Sequence, residues 1–336
     1  MKLLLLGARQ KKRWLWPIDA ERRFDQALIL RLETETKSAT RLVNYETPTH
    51  AKAHRASSSV FASGTLSENR LYICTYTEVI VFDLPSFRQL AYISLPRFNS
   101  LHHVRPTVRG TLLVVNTGLD EVVEVTLKGV VVREWSVLGE PMWTRFSPRV
   151  DYRKVASTKP HLSHPNYVFE ISNDVWVTRF HQRDAVCLTR PSQSINIALE
   201  RPHDGVLWDG RIYFTTVNGH LVIADATSLQ IVSALDLRNF VGYPFRGRAW
   251  CRGLMVVDSR TVCVGFTRIR KTALMRTGNW IKHGFHEVDA PTHIATFDLL
   301  EGRCLSAVDL ERHEMNLLFG VVDANGFPEA ADCTHG

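Results

Sequence analysis

No run of about 20 apolar residues, the length a membrane-crossing helix needs, occurs in the 336-residue chain, and no membrane partner is expected. The four leucines Leu3–Leu6 are too few for the apolar centre of a secretory leader, and the positive cluster Arg9–Arg13 follows them instead of preceding them. They read as buried strand. Cysteine is sparse: six residues with no C-x-x-C spacing. Cys74, Cys187 and Cys263 lie inside apolar runs, which suits buried small hydrophobes in a reduced, cytoplasmic protein better than a disulfide scaffold. Short catalytic signatures are missing too. There is no Gly-rich phosphate loop, no G-x-S-x-G and no H-E-x-x-H, and Asp151 and Asp184 have no partner that suggests a glycosidase pair. Lys and Arg exceed Asp and Glu by 41 to 34, a net charge of +7, yet no basic block dominates. Nucleic acid is therefore not expected, whereas an anionic ligand or acidic partner is.

What is present is a repeat. Val79–Leu95 reads VIVFDLPSFRQLAYISL, Leu221–Leu237 reads LVIADATSLQIVSALDL, and Ile294–Leu310 reads IATFDLLEGRCLSAVDL. In each, an apolar strand ends at an Asp (Asp83, Asp225, Asp298), a polar turn follows, and a second strand ends at a Leu 12 residues on (Leu95, Leu237, Leu310). Such a hairpin cannot bury its own face and needs neighbours of its kind. Further strand pairs fit the same plan, among them the run from His103 with its turn at Lys128–Gly129, and the turns at Asn173–Asp174, Asp209–Gly210 and Asn218–Gly219. A last strand in HEMNLLFGVV, after His313, has no hairpin behind it, and residues 1–48 supply strands without an inner one. Joining the two closes a ring and removes exposed strand edges. The expected fold is all-β: a six-bladed β-propeller over residues 1–326, its closing blade shared by N- and C-terminal strands, with 327–336 a disordered tail. Gly139–Lys159 and Lys271–Thr292 read as long inserted loops, a common place for function.

Aligning the second strands LLVVN (Leu112), VWVTR (Val175), IYFTT (Ile212) and VCVGF (Val262) locates the inner strands before them. Those open at His103, His164, His203 and the pair Cys251–Arg252, and the closing blade adds His313. His102 doubles His103, and His161 stands three residues before His164. Inner strands line the channel and start at one rim, so these residues converge although distant in sequence. Imidazoles gathered from several blades can hold Zn or Fe(II) through ring nitrogens, and an ion with open positions polarises substrate or activates water. A lone His at a strand start more often bonds rim backbone, and a repeat also copies residues for structural reasons. Recurrence at equivalent positions favours a metal set of His103, His164, His203 and His313. Arg105, Lys159, His161, Arg252 and Arg268 lie around the same rim as candidate contacts to an anionic small-molecule substrate. Asp204 and Glu314 each follow a candidate ligand and are the candidate general bases or acceptors for imidazole N–H. His220, in an outer turn, is expected to stand apart.

The blade count and strand pattern resemble the six-bladed propeller group that includes NHL-repeat, gluconolactonase-like and strictosidine-synthase-like proteins. The rim histidines resemble the zinc site of the peptidyl-hydroxyglycine amidating lyases and the four-His iron site of the seven-bladed carotenoid cleavage oxygenases. The resemblance implies a channel-mouth site; the Asn/Asp/Glu calcium set of the gluconolactonase-like proteins has no counterpart here, since His occupies the corresponding openings.

Three readings compete. The first is a metal-dependent lyase, hydrolase or oxygenase acting on a small anionic substrate. The second is a non-catalytic propeller that binds or scaffolds an acidic partner. The third is a metal-free enzyme using a rim His as acid or base.

Overall fold

The aspartates of the repeat build its turns. Asp225 Oδ1 accepts the backbone N–H groups of Thr227 and Ser228 (3.1 and 2.7 Å), and Asp298 Oδ1 those of Leu300 and Glu301 (3.1 and 3.0 Å). Asp83 Oδ2 accepts the Ser86 hydroxyl at 3.0 Å. A short carboxylate bonded to the backbone just ahead is a standard way to close a polar turn. In all three hairpins the strand pairing slips between the second and first residues before the Asp: Val81/Phe82, Ile223/Ala224 and Thr296/Phe297.

The computed structural model describes residues 1–11, 24–53, 58–245, 247, 249–269 and 289–326. Its strands form six four-stranded antiparallel sheets. β1 (Lys2–Gln10), β2 (Phe24–Glu33) and β3 (Ser38–Tyr45) belong to the closing blade. The first complete blade holds β4 (Gly64–Ser67), β5 (Arg70–Cys74), β6 (Val79–Asp83) and β7 (Arg88–Ile93). The second holds β8 (Leu101–Pro106), β9 (Leu112–Asn116), β10 (Glu121–Val125) and β11 (Val131–Ser136). The third holds β12 (Pro165–Ile171), β13 (Asp174–Arg179), β14 (Asp184–Cys187) and β15 (Ser194–Asn196). The fourth holds β16 (Val206–Trp208), β17 (Arg211–Thr215), β18 (His220–Asp225) and β19 (Ile231–Asp236). The fifth holds β20 (Ala249–Val256), β21 (Thr261–Arg268), β22 (His293–Asp298) and β23 (Arg303–Asp309). β24 (Leu317–Asp323) then pairs with β1 and becomes the innermost strand of the closing blade, in the order β24-β1-β2-β3. The inner strands touch in a closed circuit, β4 to β8, β12, β16, β20, β24 and back to β4.

Every blade is covered on both faces, which explains unbroken apolar runs where a half-exposed strand would alternate. Leu3 and Leu5 face the fifth blade, packing with Met255, Cys263 and Ile294, while Leu4 and Leu6 face the first, with Phe61, Leu71, Ile73 and Ile80. At roughly 1.5–3 kcal/mol for each fully buried Leu, these four side chains weld the closing blade to both neighbours. The Gly139–Lys159 insert is loop with two short 3-10 turns, Met142–Thr144 and Tyr152–Lys154. It is tied down by Tyr152 N–H to Pro96 O (2.6 Å) and Asn99 Nδ2 to Tyr152 O (2.8 Å). Residues 271–288 of the second insert and the tail 327–336 lie outside the described residues.

Candidate active site at the channel mouth

Five inner strands carry an extra residue in their pairing. In β8, Leu101 pairs with Asn116 and His103 with Val115, leaving His102 unpaired. In β12, three steps from Pro165 to Val168 face two on β13. Ahead of β16, four steps from Pro202 to Val206 face three from Thr216 to Tyr213. In β20, three steps from Cys251 to Leu254 face two on β21, and in β24 Phe319 is the extra residue between Leu318 and Gly320. A bulge of this kind turns a side chain out of the alternation of its strand. Gly253, in the β20 bulge, has φ +81°, and a Cβ there would stand 3.1 Å from Phe319 O. Glycine therefore lets the chain beside Arg252 take this path.

His102, His203, Arg252 and Phe319, all within these irregular stretches, meet His164, which stands just ahead of the β12 bulge. The His102 ring centroid is 5.0 Å from that of His164, 6.2 Å from His203 and 5.7 Å from Phe319. His203 lies 5.8 Å from Phe319, and the Arg252 guanidinium stacks 3.9 Å over that Phe ring. Arg252 Nε also donates to Thr267 Oγ1 at 3.4 Å. His161 extends the cluster, with Nδ1 2.7 Å from His164 Nδ1. The imidazoles are kept neutral. Burial pushes His102 and His164 well below the ordinary imidazole value, and the neighbouring histidines add repulsion. Burial lowers His161 to about 4. It lowers His203 as well, against the pull of Asp204.

Bonding within the cluster is incomplete. His102 Nδ1 donates to Ser100 O at 2.9 Å; a carbonyl only accepts, so Nε2 of His102 is left as a lone pair. Neither ring nitrogen of His203 has a hydrogen-bond partner, although the residue is 3% exposed. Asp204 Oδ1, 3.6 Å from His203 Nδ1, and Asn166 Oδ1 are also buried without partners. Native interiors pair nearly all such groups, so this set marks a place where water, an ion or a ligand completes the bonding. The other carboxylate oxygen of Asp204 is occupied, accepting from the Thr215 hydroxyl and from Gly253 N–H, and so it fixes the bulges of two blades.

Asp120 was not foreseen from the sequence. This buried carboxylate accepts the N–H groups of Leu162 (2.9 Å), Ser163 (3.1 Å) and His164 (2.8 Å), and Arg145 Nη1 at 2.8 Å. It grips the loop that presents His161 and His164, the latter at φ +56°. Phe319 was missed as well. A lone Asp after a strand and a Phe in an apolar strand carry no distinguishing signal in the sequence.

Of the expected metal set, His164 and His203 sit in the cluster. The other two members lie elsewhere. His103 turns away from the channel. Its ring stacks 3.6 Å from Tyr167, Nδ1 accepts Val168 N–H at 3.3 Å, and Nε2 lies 3.3 Å from Thr65 Oγ1. The β8 bulge puts His102 in its place. His313 lies in a 3-10 turn, Glu311–His313, before β24 begins, in a depression shared with Leu30, Ala39 and Arg41 of β2 and β3. Glu314 is ion-paired to Arg41 there, so neither His313 nor Glu314 belongs to the mouth. Among the anion contacts, Arg252 and His161 are at the cluster, and Lys159 lines an adjoining cavity with His161. Arg105 instead faces Glu170 at 3.5 Å near the far end of β12. Arg268 makes two 2.8 Å bonds to Glu311, joining β21 to the turn before β24. Both are structural ion pairs. His220 stands apart, bonded to Asn218.

Among the described residues, no three His, Cys, Asp or Glu side chains are placed to share one ion. No known family's sequence profile matches the chain, and no curated protein is similar to it in sequence. Solved structures are similar in fold. A protein of unknown function from Bacteroides caccae superposes with TM-score 0.59 at 12% identity, covering 95% of this chain and 97% of that one. A chain of the nidogen/laminin complex follows with TM-score 0.54, 11% identity and the same coverage of 95% and 97%. A catalytically inactive virginiamycin B lyase from Staphylococcus aureus, with quinupristin, gives TM-score 0.46 at 12% identity over 71% of this chain and 70% of that one. Likeness at these identities is one of propeller architecture, which does not fix function.

Proposed function

We propose that the protein is an enzyme acting on a small anionic molecule at the channel mouth, with a divalent ion, Zn or Fe(II), held by His102, His164 and His203. The observation that carries this reading is the set of Nε2 lone pairs. His102 donates from Nδ1 to a backbone carbonyl, the arrangement that fixes a metal-ligating imidazole. With His164 donating from Nδ1 to His161, and His203 turning Nδ1 toward Asp204, all three present Nε2 lone pairs. Three imidazoles on one tetrahedral ion, with bonds of ~2.1 Å, have ring centroids about 5 Å apart. His102 and His164 match that at 5.0 Å, whereas His203, at 6.2 Å from His102, would have to move inward to share the ion. Such an ion supplies Lewis acidity or an activated water when bound. Arg252, stacked on Phe319 beside the cluster, would neutralise a carboxylate or phosphate of the substrate.

The placement of the rings, with no three donors yet able to share an ion, favours one alternative: a metal-free site in which His203, set beside Asp204, acts as the base. Elemental analysis and metal titration separate the two. The first reading expects one ion per chain, lost in His102→Ala, His164→Ala and His203→Ala and retained in His313→Ala. A protein that is metal-free as purified and takes up neither Zn(II) nor Co(II) removes the ion from the account and leaves the metal-free site in front.

A further inference from the structure

Beside the imidazoles opens a second polar space of about 150 Å³, whose wall includes Lys52, Asn99, Ser100, Arg153, Lys159 and His161. Among the described residues no carboxylate lines it, and the charged residues of its wall are cations. Two of the three are already compensated. Arg153 makes paired bonds of 2.9 and 2.8 Å to Asp151, and Lys52 reaches Glu46 at 2.8 Å. Among the described residues Lys159 is in no ion pair, and it is exposed, so its positive charge is met by solvent or by a ligand. At ~30 Å³ for each water of liquid volume, the space holds about five waters. That suits an oxyanion of four or five heavy atoms and falls short of the ~300 Å³ at which pockets for whole drug-sized ligands begin. It is therefore a place for one end of a molecule. It also adjoins the mouth. His161 in its wall touches His164, and the carbonyl of Ser100 in the same wall holds Nδ1 of His102.

We propose that this cavity is an oxyanion subsite, binding the phosphate or carboxylate end of a small molecule against Lys159 and leaving the rest of that molecule to reach the imidazole cluster. Only the second half rests on the proposed function; anion binding in the cavity requires no ion at the imidazoles. The test therefore uses full-length protein stripped of metal with a chelator, titrated in separate arms with inorganic phosphate and with acetate. Calorimetry measures the affinity, and the imidazole NMR signals report the place. We expect saturable binding of at least one anion with a shift of the His161 signals, and the tighter arm identifies the end group. Losing one charge-assisted hydrogen bond weakens binding by about tenfold or more. Lys159→Ala should show that loss, Lys159→Arg should stay within about threefold of wild type, and His313→Ala should bind unchanged. Absence of saturable binding in both arms, or Lys159→Ala binding as tightly as wild type, overturns the subsite. Because no metal is present, neither result depends on whether the ion site exists.

Discussion

Two buried imidazoles of this propeller are bonded in opposite ways. His293, fully enclosed at the start of β22, is satisfied at both nitrogens: Tyr243 donates to Nε2 at 2.7 Å, and Nδ1 donates to Pro291 O at 2.6 Å. It stacks on Phe266, 4.7 Å away and 7° from parallel. His203, at the channel mouth, is nearly as buried and has no hydrogen bond at either nitrogen. Both have left water, which costs a few kcal/mol for each unpaired polar group. The fold recovers that cost at His293 and does not at His203. Buried charge can be satisfied within the blades: Glu78 accepts from Tyr45 (2.6 Å), Tyr92 (3.0 Å) and Thr75 (2.7 Å), pinning the closing blade to the first. A polar group that the scaffold leaves unsatisfied, among neighbours similarly left, is one that a bound water, ion or ligand can complete.

The contrast can be broken in several ways. The largest effect is expected from deleting residues 311–326, which removes β24 and opens the ring along a full inner strand. The truncated chain should unfold or aggregate, as read by circular dichroism and size-exclusion chromatography; a monomer with unchanged melting would contradict the closing-blade topology. Next, His293→Ala should cost about 3–5 kcal/mol in urea unfolding, because it empties an aromatic packing site and strands the Tyr243 hydroxyl. Acid sharpens the same point. Burial lowers His293 to about 4, against ~6.5 in the unfolded chain. Its contribution is complete above pH ~6.5 and is lost as pH falls toward 4, because the unfolded state then binds the extra proton; the loss reaches about 3 kcal/mol by pH 4. Unfolding curves of His293→Phe across that range should show a slope shallower by this amount.

The architecture was legible in the sequence because its cause is local. Asp83, Asp225 and Asp298 each build a turn at a fixed distance from a closing Leu, and the leftover strand after His313 needs the strands of residues 1–48 as partners. The site was legible only in outline. That imidazoles gather where inner strands begin follows from repeat alignment, but which imidazole points inward depends on a one-residue slip in pairing. The bulge between Leu101 and His103 exchanges His103 for His102, and no residue type in that strand announces it. His313 ends a 3-10 turn and precedes β24 by four positions. Arg105 and Arg268 read as rim charges because their partners, Glu170 and Glu311, come from other parts of the chain. Asp120 is distant in sequence from the loop it holds and becomes visible only once the second and third blades are side by side.

The smallest expected change in stability is also the most direct test. His203→Phe keeps a flat ring, larger by one heavy atom, and removes two unpaired buried nitrogens. If the mouth is kept polar for a ligand and not for the fold, this variant unfolds in urea within about 1 kcal/mol of wild type, or is more stable, since replacing an unsatisfied polar group by an apolar one of similar shape is near neutral or favourable. A loss above about 2 kcal/mol in metal-free buffer would mean that His203 serves the fold after all, and the account of the mouth as a binding and reaction site would lose its main support.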